Sequence, residues 1–223
     1  MDVYEIDTPH GPARAHHLAA AGDHRATLVL GHGAGGSIGA PDLQAVAAAA
    51  AQAGTDVLLV EQPYRVAGRK AAAPAKQLDT AWLAVLEALG LGVFAGEAAA
   101  AAAFRRHAGV ARLSSGAPLF VGGRSSGARV ACRTAAAAEA TGVLCLAFPL
   151  ITPKGVRRQD ELDGAGVPVL VVQGETDRFG MPEPDPARHR EVVRVTGDHG
   201  LKRDPDVIAG AAVDWLRTLL PAS

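Results

Sequence analysis

Short, unbroken apolar runs alternate with helix-forming stretches along most of this chain, and that alternation restricts the fold more than any other feature. Residues 26–30 (A-T-L-V-L), 55–60, 119–122, 143–147, 167–172 and 191–195 read as strands, and 41–53, 76–89, 126–140 and 205–220 as helices. A strand that is apolar at every position is buried on both faces, as in a parallel sheet held between two layers of helices. Pro41 at a helix start and Gly54 after its end punctuate the pattern where the backbone requires it. Residues 3–6 and 14–18 have no helix between them and predict an antiparallel start. The class is therefore α/β, an open doubly wound, mostly parallel sheet flanked by helices, in a single domain over residues 1–223.

The rhythm breaks at residues 90–117, an Ala-rich insert whose 97–107 portion favours helix. A helix-to-strand connection lies at the amino ends of the strands, whereas ligands of such sheets bind at the carboxyl ends. Extra structure or an oligomer contact is expected there rather than a lid. Apolar residues at 48% can fill the core, although aromatics at only 4% leave bulky positions to Leu, Val and Ile. The net charge of −1 comes without a basic stripe and argues against a nucleic-acid partner. The N-terminus lacks the basic-then-apolar order of a signal peptide, and no run approaches the ~18 apolar residues that span a bilayer. Cys132 and Cys145 read as free buried thiols. A cytoplasmic protein with no nucleic-acid or membrane partner is expected, and its oligomeric state is not readable.

Gly123-Arg124-Ser125-Ser126-Gly127 matches G-x-S-x-G at a junction between a predicted strand and a predicted helix. The tight turn that exposes a nucleophile there needs small residues two positions either side of the serine. Ser125 satisfies this on both sides; Ser126 would have Arg124 and Ala128. A serine hydroxyl needs a base to take its proton. Of eight histidines, His199 alone lies late in the chain in a loop at a strand's carboxyl end. The acid that orients the base is expected after the 167–172 strand, in Q-G-E-T-D. Asp177 is preferred there, with Glu175 as competitor and Asp198 disfavoured because it adjoins His199. Oxyanion donors are expected from the backbone N–H groups of Ala34 and Ser126, with Gly33 as a substitute for Ala34. The same loop, Gly31-His32-Gly33-Ala34-Gly35-Gly36, spells G-x-G-x-x-G, but residues 37–41 separate it from the next helix. A dinucleotide site would need the helix to open within the motif. His16-His17 has no third ligand at a sensible spacing, so no metal or cofactor is expected.

H-G-A-G-G, E-Q-P-Y-R at 61–65, G-G-R-S-S-G, F-P-L at 148–150, Q-G-E-x-D and G-D-H together resemble the α/β-hydrolase superfamily. More narrowly, the chain is similar to its small, lidless proteins related to dienelactone hydrolases. The resemblance implies Ser125, Asp177 and His199 as a triad. Two departures stand out: the 90–117 insert is long, and dienelactone hydrolases carry cysteine where this chain has Ser125. The stretch 148–166 is too short for a cap domain, which predicts an open site. Tyr64 and Arg65 are candidates to reach substrate, and Phe148, with Leu150 and Ile151, to form an apolar wall or else ordinary core. Arg65, Arg124 and Arg178 suggest either an anionic substrate or structural ion pairs, the latter preferred for Arg124 and Arg178. The expected function is a serine hydrolase taking a small-molecule acyl substrate, an ester or thioester, through an acyl-enzyme. The alternative is a catalytically silent scaffold on the same fold.

Overall fold

The computed structural model describes residues 1–91 and 116–221. The elements follow one another as β1 (Asp2–Ile6), β2 (Ala13–Leu18), β3 (Ala26–Gly31), α1 (Pro41–Gln52), β4 (Thr55–Glu61), α2 (Pro63–Val66) and α3 (Ala75–Ala88). After the undescribed segment come β5 (Leu119–Arg124), α4 (Ser126–Thr134), β6 (Gly142–Leu146), α5 (Gln159–Asp163), β7 (Val169–Gly174), β8 (Arg190–Val195) and α6 (Pro205–Leu219). Most of the 90–117 insert, with its expected helix, lies outside the described residues.

All eight strands form one sheet in the order β1-β2-β4-β3-β5-β6-β7-β8. β1 pairs antiparallel with β2, and β2 antiparallel with β4, as the missing helix between them predicted. Every other pairing is parallel. From β3 the chain first adds β4 on one side and then β5 on the other. Successive crossovers therefore leave in opposite directions at the carboxyl ends of β3 and β5, and a crevice opens between them.

β3, β6 and β7 are buried along their whole length and β4 and β5 at all but their last residue, and their side chains divide between two cores. Val29, Val121, Val143 and Val171 face the layer containing α3 and α4, around the fully buried Trp82. Leu28, Leu30, Phe120, Leu144 and Leu170 face α1 and α6, where Trp215 meets Phe120 edge to face at 5.9 Å. Alternation along a strand thus supplies both layers from one continuous apolar run. Cys132 and Cys145 are free and buried, their Sγ atoms 3.5 Å apart.

Several boundaries differ from the sequence expectation for local reasons. The regular helix expected to reach residue 140 ends at Thr134; irregular turns carry the chain on to Glu139, whose φ of 50° reverses it before β6. The strand expected to include Ala147 stops at Leu146, because Ala147 turns to a φ of 51°. α2 and α5, of four and five residues, are too short to carry a helical period and were not expected. The β6–β7 connection carries α5 and no cap domain. Among the described residues no helix is long and apolar enough to cross a membrane.

Leu144 lies in the middle of the sheet with no exposed surface. Leu144→Ala is expected to destabilise the protein by about 2–5 kcal/mol in denaturant unfolding. The exposed Val207→Ala on α6 should cost less than about 0.5 kcal/mol. Equal costs at both positions would contradict the two-core description.

Candidate active site

The site forms where β3 and β5 end side by side. Gly31 is the register partner of Gly123. A Cβ on Gly123, or on Gly127, would fall inside contact distance of the Gly31 carbonyl, so both flanks of Ser125 are restricted to glycine. Between them Ser125 adopts φ 53°, a left-handed conformation that costs a non-glycine residue energy. Its backbone N–H is held by the carbonyl of Leu146 on β6 at 2.8 Å, which ties the turn to the neighbouring strand. The serine side chain is thereby lifted out at the carboxyl edge of the sheet, at the start of α4.

His199 and Asp177 come from the loops after β8 and β7, the same edge. His199 Nε2 lies 3.0 Å from Ser125 Oγ, and His199 Nδ1 lies 2.8 Å from Asp177 Oδ2. With Nδ1–H donating to the carboxylate, Nε2 is left as an acceptor for the serine hydroxyl. The Asp177 side chain is fully buried. Its Oδ1 accepts the N–H of Phe179 at 2.8 Å, and its Oδ2 also accepts Gln173 Nε2 at 2.8 Å. Gln173 is itself fixed, since the same amide nitrogen donates to the carbonyls of Gly180 and Phe148 at 2.9 and 3.1 Å. The Phe179 ring stands edge to face against His199 at 4.6 Å, and the Arg178 guanidinium covers that ring at 4.8 Å. Imidazole orientation is thus set by a hydrogen bond at each ring nitrogen and by one ring contact.

The glycine loop after β3 approaches from the other side. Ala34 and Ser126 line the same cleft as Ser125, about 260 Å³ in volume, and their N–H groups have no partner among the described residues. Tyr64, buried on α2, donates its hydroxyl to the carbonyl of Ala34 at 2.9 Å. Arg124 joins the two halves. Its Nε donates to the fully buried Asp42 of α1 at 3.0 Å, and its Nη2 to the carbonyl of His199 at 2.7 Å. Its Nη1 packs so closely on Gly33 that a Cβ there would lie 3.1 Å away. Burial pushes the Asp42 carboxyl up, and Arg124 opposes that rise.

Ser125, His199 and Asp177 are therefore brought together as expected from their placement. Glu175 is exposed, and Asp198 instead accepts the N–H of Gly200 at 2.8 Å within its own turn. Phe148 needs correcting: it has no exposed surface and belongs to the α3–α4 core, because it follows a strand buried on both sides. Tyr64 and Arg65 do not line the cleft; the first braces Ala34, and the second turns to the carbonyl of Arg69 at 3.2 Å. Arg124 is the structural ion-pair member that was preferred. Gln173, Phe179 and Asp42 were missed; Gln173 sat in view, in Q-G-E-T-D, four residues before the acid it holds. The G-x-G-x-x-G string feeds the cleft at Ser125 rather than a helix N-terminus, since α1 opens only at Pro41. Among the described residues no group of three or more His, Cys, Asp or Glu could hold a metal ion.

An eight-stranded, mostly parallel sheet with a serine turn after β5 and no cap defines a lidless α/β-hydrolase fold. The chain belongs to the alpha/beta hydrolase domain family, whose model matches residues 24–205. Its structure is similar to that of a lidless α/β serine hydrolase from Xanthomonas campestris, at 20% identity, covering 100% of this chain and 96% of the other with a TM-score of 0.70. It is also similar to Est1E from Butyrivibrio proteoclasticus (14% identity, 98% and 99% covered, TM-score 0.71). A dienelactone hydrolase from Anabaena variabilis aligns at 15% identity over 99% and 98% of the two chains, with a TM-score of 0.68. No curated protein matches the sequence significantly.

His32 anchors the base of the glycine loop. Its Nε2 faces the N–H of Gln62 at 3.2 Å and can only accept there, so the proton sits on Nδ1, which donates to the carbonyl of Gly33 at 2.9 Å. A second proton would set two donors against each other. Burial holds the pKa of His32 below the ordinary imidazole value, with the Gly33 bond opposing. Below the unfolded value of about 6.5 the unfolded chain then takes up a proton that the folded protein refuses. Stability from His32 is complete above that pH and is lost as pH falls through it, by at most about 1.4 kcal/mol per pH unit. Unfolding free energy measured from pH 8 to pH 5 should fall more steeply in the wild type than in His32→Gln. Parallel curves would contradict this account.

Proposed function

We propose that the protein is a serine hydrolase that cleaves a small ester or thioester through an acyl-enzyme, with Ser125 as nucleophile, His199 as base and Asp177 orienting it. The observation that carries this reading is the unbroken chain from Ser125 Oγ through both ring nitrogens of His199 to Asp177, at 3.0 and 2.8 Å. Ser125 Oγ attacks the acyl carbon as its proton passes to His199 Nε2, and the buried carboxylate of Asp177 stabilises the imidazolium. Negative charge on the carbonyl oxygen is received by the N–H groups of Ala34 and Ser126. Loss of one such donor typically costs about 2.7–4 kcal/mol of barrier stabilisation. His199 then returns the proton to the departing alkoxide or thiolate. Water, deprotonated by the same nitrogen, attacks the acyl-serine; the acid leaves and Ser125 regains its hydrogen.

Family membership supports a hydrolase, and the absence of a cap between β6 and β7 suits a small substrate that enters without a lid. A binding scaffold on this fold has no use for a strained serine, an imidazole hydrogen-bonded at both nitrogens and a buried carboxylate held in register.

Hydrolysis of p-nitrophenyl acetate and butyrate, with fluorophosphonate labelling, tests the reading. Ser125→Ala is expected to abolish labelling and to lower turnover on the order of 10³-fold or more. Asp177→Asn should keep the fold and still lose most turnover, because the imidazole takes the wrong tautomer. An inert wild type, or a Ser125→Ala variant as reactive as the wild type, would remove Ser125 as nucleophile and leave a binding role for the fold.

A further inference from the structure

The cleft beside Ser125 has two kinds of lining. Leu78, Pro149 and Phe179 contribute apolar surface, while Arg129, Arg133 and Arg158 contribute guanidinium groups. Arg129 and Arg133 stand one turn apart on α4, and both are fully engaged. Glu161 of α5 takes Arg129 through Nε and Nη2, at 2.7 and 2.6 Å, and accepts from Arg133 Nη1 at 3.1 Å. Asp79 of α3 takes the other edge of Arg133 at 2.8 and 2.6 Å. Two carboxylates thus serve two arginines with fork geometry, and the third arginine makes no hydrogen bond to either.

Arg158 is that third. Its guanidinium donates once, from Nη1 to the carbonyl of Pro149 at 3.1 Å, and forms no ion pair among the described residues. Burial and the neighbouring charges of Arg129 and Arg133 push its pKa down, with Glu161 opposing. The wall consequently carries one positive charge in excess, half-buried and facing the space next to the nucleophile. Its backbone is braced: Arg158 N–H donates to the carbonyl of Leu150 at 2.8 Å, and Thr152 N–H to that of Val156 at 2.9 Å. The main chain that carries the guanidinium is therefore fixed before a ligand arrives.

We propose that Arg158 is a specificity-determining residue, pairing with a carboxylate that the substrate carries a short apolar chain away from the bond Ser125 attacks. This rests on the serine-hydrolase reading. A planar carboxylate matches the edges of the guanidinium that have no protein partner, the apolar lining accepts the intervening methylenes, and the pairing removes the excess charge. A neutral ester of the same length leaves Arg158 as it is and forgoes that gain. A carboxylate-bearing half-ester is therefore preferred over its neutral isostere.

Mono-p-nitrophenyl adipate and p-nitrophenyl hexanoate have the same chain length and differ by a carboxylate in place of a methyl group. To cover a carboxylate on the leaving group, 4-carboxyphenyl butyrate is compared with phenyl butyrate. In at least one pair the wild type should favour the anionic ester tenfold or more in kcat/KM. Arg158→Gln should erase that preference, change the neutral ester by less than about twofold, and leave the thermal midpoint in place; Arg158→Lys should restore part of it. Equal losses on anionic and neutral esters, or no loss on either, would overturn the proposal. Should the wild type turn over none of them, the serine-hydrolase reading fails, and calorimetric titration with adipate and with hexanoate separates the two questions. Adipate binding that is stronger than hexanoate binding and is lost in Arg158→Gln sustains the anion subsite; no such difference ends it.

Discussion

Three glycines, Gly31, Gly123 and Gly127, allow two strands and a helix start to meet more closely than any side chain would permit, and the rest of the site depends on that approach. Because β3 and β5 are neighbours only through the reversal of strand order, the close contact and the crevice share one cause. The left-handed Ser125 is the cost of the arrangement, and its backbone is held on two sides: its N–H donates to the Leu146 carbonyl, and its own carbonyl accepts the N–H of Arg129 on α4.

Much of this could be read from the residues alone, for reasons that can be stated. Strands such as 26–30 and 119–122 are apolar throughout, so the two-sided core and the parallel sheet follow from hydropathy. Ser125, Asp177 and His199 were found because chemistry in this architecture gathers at one edge, which reduces a three-dimensional question to the position of a loop in the chain. The failures have equally physical origins. Hydropathy could not distinguish a core Phe148 from a pocket-lining one, since both are apolar residues just past a buried strand. Single-turn helices leave no periodic trace. Asp42 and Arg124, or Arg133 and Asp79, are far apart in sequence and meet only through packing, so no local pattern announces them. Arg158 became notable only once its neighbours were seen to be satisfied.

The arginine ladder also bears on the frame of the site. Arg129 and Arg133 connect α4 to α5 and α3 by charge-assisted, two-pronged bonds in partly buried positions. Such pairs contribute modestly to net stability but are costly to break on one side alone. They therefore tie down the helix that begins just after Ser125, and the cleft wall and the frame are made of the same side chains.

Arg124 has a different consequence. It reaches from the first turn of α1, on the far layer of the sheet, to the backbone of His199, and rests on the glycine loop between them. The helix layer behind the sheet is thus joined to the His199 loop by one side chain. A change in how α1 packs against α6 would move the Asp42 carboxylate on which Arg124 is anchored, and with it the hydrogen bond that Arg124 gives the His199 carbonyl. Substitutions in that Ala-rich layer would thus be felt at the His199 loop on the opposite face of the sheet.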